Sequence, residues 1–108
     1  MGASVEVTYI RPEPLAIVVI PAGVVTTILA PNEDGWDSVE IANIGANAAW
    51  LTFLAADTPA AGNGIPVAGS ASGTAGGEWY SPFGQAVTGA TIKVFSTLGT
   101  TVAIQAWT

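Results

Sequence analysis

The 108-residue chain contains no histidine and no cysteine. The usual general base near neutral pH and the most reactive protein nucleophile are therefore both missing. Hydroxyl side chains are plentiful, but no Gly-x-Ser-x-Gly elbow occurs, and a Ser–Lys pair would have to be built on Lys93, the one lysine present. No phosphate loop or dinucleotide fingerprint appears. The remaining catalytic route is a carboxylate pair flanking a glycosidic bond, which eight Asp and Glu residues make possible in principle. A domain this small offers little room for a substrate cleft, so the expectation is a protein that is not an enzyme and carries no cofactor.

Two binding chemistries deserve weighing. Glu33, Asp34, Asp37 and Glu40 cluster around Asn32 and Gly35, and hard oxygen ligands of this kind suit Ca²⁺. The spacing lacks the bidentate acid at the twelfth position of an EF-hand loop, and turns are rich in acids for ordinary reasons. A solvated turn is the favoured reading, and no metal site is assigned. The aromatics Trp36, Trp50, Trp79, Tyr80 and Trp107 offer a platform for a sugar ring. Trp50 lies in a strong strand and reads as core, and Trp107 as the anchor of the last strand. Trp79, Tyr80 and Phe83 follow a Gly-rich segment and are the interface or ligand candidates, with plain core packing as the alternative, since Trp and Tyr are enriched in interface hot spots.

The elements that must position these residues are strands. Breakers recur about every eight to twelve residues, the spacing of a sandwich or barrel. Val5, Val7 and Tyr9 alternate with polar residues as a first strand, ended by Arg11-Pro12-Glu13-Pro14. Leu15 to Ile20 is a continuous apolar run, which predicts a strand covered on both faces, and Val24 to Leu29 reads as its return. Pro31 to Gly35 is the strongest turn signal, with Gly35 supplying positive φ. Trp36 to Ala42 and Ala49 to Leu54 follow, joined by the tight connection Asn43-Ile44-Gly45-Ala46-Asn47. Residues 55–77 are rich in Ala, Gly, Ser and Thr, and a long loop in a compact domain is usually functional or mobile. Glu78 to Phe83 precedes a closing hairpin of Ala90 to Ser96 and Thr101 to Trp107. The fold expected is a single all-β domain, an antiparallel β-sandwich of about eight strands in hairpins, jelly-roll-like in connectivity.

Composition narrows the partners. Half of the residues are hydrophobic and 9% are charged, against about 25% in an average soluble protein. Such a surface is cheap to desolvate and suits a protein packed against something. The net charge is −6, with Arg11 and Lys93 the only cations, which argues against nucleic acid and anionic lipid. The start lacks the basic region of an export signal, Glu6 breaks the myristoylation pattern, and the apolar stretch Leu15 to Ala30 is shorter than a membrane span and is interrupted by Pro21 and Gly23.

Val39-Glu40-Ile41-Ala42-Asn43-Ile44-Gly45-Ala46-Asn47, the strand to Leu54, Gly62-Asn63-Gly64-Ile65-Pro66-Val67 and the ending Ile92 to Trp107 together resemble small β-structured virion proteins of tailed bacteriophages. These are head decoration (cement) proteins or head and tail accessory proteins. The resemblance covers roughly residues 36–107 and is one of segment order, without a diagnostic motif. It implies a homotrimer on the phage head surface that clamps neighbouring copies of the major capsid protein, with Arg11 and Leu15 in an arm that reaches a neighbour or in a first strand. The competing expectation is a receptor- or carbohydrate-binding domain of a head or tail fibre, working through Trp79 and Tyr80.

Overall fold

The computed structural model describes residues 13–32, 35–70, 77–87 and 90–108, with only the backbone path described over 78–87. The expected strand Val5 to Tyr9, together with Arg11, Glu33 and Asp34, lies outside these residues. Eight strands occur among the described residues: β1 (Ala16–Ile20), β2 (Thr26–Leu29), β3 (Trp36–Asn43), β4 (Ala49–Leu54), β5 (Ile65–Val67), β6 (Glu78–Val87), β7 (Ala90–Phe95) and β8 (Thr100–Trp107). They form two antiparallel four-stranded sheets, in the orders β1-β8-β3-β6 and β2-β7-β4-β5.

The period-two patterns explain how the sheets meet. Val102, Ile104 and Ala106 of β8 are buried while the residues between them are half-exposed, and Val39 and Ile41 of β3 are fully buried. These side chains join Ala49, Leu51, Ile92 and Val94 of the second sheet in one hydrophobic cluster. Alternation at period two puts one such row on each sheet, an arrangement compatible with a β-sandwich.

The pairing differs from the hairpins expected. Only β4 and β5 are both consecutive and hydrogen-bonded neighbours; every other link passes from one sheet to the other. The Leu15–Ile20 and Val24–Leu29 runs therefore do not pair, and neither do the last two strands. A short turn serves a chain arching over the end of two sheets as well as one reversing within a sheet. The apolar run at β1 is also not covered on both faces. Among the described residues β1 is a sheet edge bonded only to β8, with Ile17 and Val19 exposed and Ile20 buried.

One end of the two sheets is held by a buried polar clasp. Asn43, at the end of β3, is fully buried. Its Nδ2 donates to the carbonyls of Asn47 at 2.8 Å and Val67 at 3.2 Å. Its Oδ1 accepts from the Gly45 amide at 3.2 Å and the Thr100 hydroxyl at 2.7 Å. Asn47 Nδ2 donates to Gly99 O, and Ser96 Oγ to Ala48 O. Gly45 is required by close approach, because a Cβ there would drive into the Thr100 hydroxyl and come within 2.5 Å of the Thr101 nitrogen. Removing a side chain from such a site strands several buried partners at about 1–3 kcal/mol each. Asn43→Ala should accordingly lower the unfolding free energy by roughly 3 kcal/mol in urea titrations, against roughly 0.5 kcal/mol or less for exposed Thr27→Ala. A loss below about 1 kcal/mol would mean that the clasp is dispensable.

Candidate functional site

Three surface features stand out among the described residues. The first is the outer face of the sheet edged by β1. Ile17 and Val19 sit opposite Ala103 and Thr101 of β8, and with Leu15 they form a row that is 58%, 57% and 70% exposed for residues 15, 17 and 19. The small side chains of Ala42 and Ala103 beside them leave a shallow depression of about 120 Å³, bordered by Leu15, Glu40 and Gln105. The Glu13 amide donates to Ala106 O, and Gln105 Nε2 donates to Glu13 O, so the segment lies along β8 from residue 13 onward. An apolar edge strand with an unpaired backbone row is a template for another chain.

The second feature is the end closed by the clasp. The Gly23 amide donates to Ser96 O, and Asn47 Nδ2 and Ser96 Oγ donate to Gly99 O and Ala48 O, which draws the β1–β2, β3–β4 and β7–β8 loops together. Residues 21–25, 44–48 and 96–99 include no ionisable side chain. They expose Val24, Ile44 and Leu98 instead, the last at 73%. Trp50, expected in the core, is half-buried and lines a 290 Å³ hollow with Leu98, Thr97, Asn47 and Ala48. It sits opposite Phe95 on the face of β4 turned away from buried Leu51. The apolar weight of a Trp identified a sheet position but not which of the two faces was covered.

The third feature is a cleft of about 430 Å³ between the end of β4 and the 55–64 loop, lined by Leu51 to Leu54, Asp57, Thr58 and Asn63 to Ile65. It is larger than the length of the chain suggested. The loop is built rather than loose. Lys93 Nζ donates to the carbonyls of Ala55 at 2.7 Å and Asp57 at 3.0 Å. Ala60 and Asn63 exchange both backbone hydrogen bonds, and Asn63 Nδ2 donates to Thr58 O at 3.0 Å. Pro59 is fully buried beneath it. Thr52 of β4, opposite Lys93 of β7, is 8% exposed, and among the described residues its buried hydroxyl has no hydrogen-bond partner.

The residues singled out from sequence are dispersed over these features. Leu15 belongs to the exposed row of the first. Trp79 and Tyr80 occupy β6 positions opposite Ile41 and Glu40, and Phe83 lies further along the same strand. Trp36 is buried and its Nε1 donates to Ala30 O at 3.0 Å, while Trp107 is half-buried opposite Ser38. No group of three or more His, Cys, Asp or Glu side chains gathers among the described residues. Lys93 read as an isolated cation and Asn63 as part of a turn, and neither they nor Asp57 were assigned to a site from the sequence. The one cue available was the Gly62-Asn63-Gly64 turn, and nothing local tied it to Lys93, 30 positions away.

No family model, curated protein or solved structure matches the chain. The geometry alone therefore bears on function. A buried hydroxyl without a partner costs about 1–3 kcal/mol, and an apolar group of the same shape removes that cost. Thr52→Val should raise the midpoint of thermal unfolding, with a gain of up to about 1 kcal/mol. A clear fall in the midpoint would show that the hydroxyl has a partner.

Proposed function

We propose that this chain is a virion structural protein of a tailed bacteriophage: a capsid decoration (cement) protein that binds the head surface and stabilises contacts between major capsid subunits. The observation that carries the reading is the exposed apolar row Leu15, Ile17 and Val19 on a strand that, among the described residues, forms a sheet edge. Such a row is costly to leave in water, at about 25 cal/mol per Å² of apolar surface. It suits a protein whose working state is covered by a neighbour. The scarcity of charge over the whole chain supports the same reading, because an uncharged surface is desolvated at little cost.

The connectivity is read here as jelly-roll. Its support is the pair of strand orders β1-β8-β3-β6 and β2-β7-β4-β5, with six of the seven links crossing between sheets. Jelly rolls recur in viral capsid domains. The assembled form is proposed to be a homotrimer, since many weak copies on a symmetric lattice gain by multivalency what one copy lacks. Its acidic charge would meet basic patches on the capsid or face outward.

Capsid binding and oligomeric state test the reading together. Ile17→Lys and Val19→Lys place a charge on the apolar row without touching the core. Each should abolish binding to purified expanded capsids and reduce the trimer seen by light scattering, while the thermal midpoint shifts little. Wild-type protein should raise the temperature at which those capsids disrupt. Capsids that gain no stability from saturating protein would overturn the proposal.

A further inference from the structure

We infer that the cleft between β4 and the 55–64 loop binds a neutral saccharide, with hydroxyls held by Asp57 and Asn63 and the apolar ring face against Leu54 and Ile65. The cleft's volume of about 430 Å³ falls in the range of small-molecule sites, roughly 300–1,000 Å³. Its walls differ in character. Leu54 and Ile65, both large and both exposed, form the apolar side. Asp57, Thr58 and Asn63 form the polar side. A ligand that covers both must pair an apolar face with a hydroxylated edge.

Other ligand classes fit less well. The Asp57 carboxylate repels an anion, and the cation nearby, Lys93, already donates to two loop carbonyls. One carboxylate is too few for a hard cation, which takes six to eight oxygen ligands. A purely apolar ligand would desolvate Asp57 and Asn63 without giving them partners. A sugar hydroxyl pairs with both, because carboxylate and amide oxygens accept from it and the Asn63 N–H not given to Thr58 O donates to it.

The site is also preformed, which limits the ordering cost of binding. The Lys93 ammonium, the Ala60–Asn63 bridge and buried Pro59 fix the loop. Gly64 lets it pass close to β4. The residue has φ +135°, and a Cβ there would lie 2.8 Å from Leu51 O. The pairing register shifts between Thr52 and Leu54, at the point where the cleft opens. Beneath it lies the Thr52 hydroxyl, without a partner among the described residues, and an unsatisfied buried group calls for an explanation that a bound ligand would supply. None of this depends on the decoration reading, which runs through β1.

The test uses the full chain on a glycan array and in NMR titrations with glucose, galactose, mannose and N-acetylglucosamine. Specific array hits are expected, together with amide shifts that map to Thr52, Asp57, Asn63 and Ile65. Asp57→Asn and Ile65→Ser should each weaken binding tenfold or more with the thermal midpoint unchanged. Ile17→Lys should leave glycan binding intact, which separates this site from the capsid surface. The inference falls if no glycan binds and none of the four sugars shifts those amides. It falls equally if binding persists undiminished in both cleft variants.

Discussion

Asn43 satisfies all of its buried hydrogen-bonding capacity against four groups drawn from three segments of the chain. Its partners are the β3–β4 connection, the start of β8 and the end of β5. Apolar packing between two sheets is non-directional, so it draws them together without choosing an alignment. A buried amide does choose, because each of its bonds has a required direction and leaving any one unmade is expensive. The surface features at that end inherit their geometry from it. The exposed Val24, Ile44 and Leu98 sit on loops that bond to one another through Ser96, Gly99 and Asn47.

Local chemistry was legible and partnership was not. The turn at Gly35 was readable, and the residue takes φ +81° as Asp-Gly turn chemistry demands. Strand positions at β3, β4 and β8 followed from period-two alternation. Which strands pair did not, because alternation records that a face is buried and carries no information on what buries it. Leu15 to Ile20 illustrates the limit. Its unbroken hydrophobicity read as a strand covered twice over, whereas the described chain covers only one face. The sequence recorded the need for cover; the described residues leave the outer face of β1 exposed.

The 55–64 loop was illegible for a different reason. Its composition of Ala, Gly, Pro and Thr carries no periodicity, and its order comes from Lys93 on a strand distant in sequence. A cation in a β-strand reads as ordinary surface polarity. Here it fixes a loop through two carbonyls, and that loop forms one wall of the cleft. Low charge thus has two meanings in one molecule: it leaves surfaces easy to cover, and it gives the few charged groups unusual structural weight.

The bond from the Glu13 amide to Ala106 O brings the two ends of the described chain side by side. β8 runs from the clasp at Thr100 toward Trp107, and β1 runs the other way, from Ala16 toward Ile20. Glu13 and Trp107 therefore lie at the pole of the described domain opposite the uncharged loops. A peptide or fluorescent domain joined through a linker beyond Trp107 emerges away from Val24, Ile44 and Leu98. The architecture suits covalent display, in which cargo is carried on one pole while the other stays free to engage a surface.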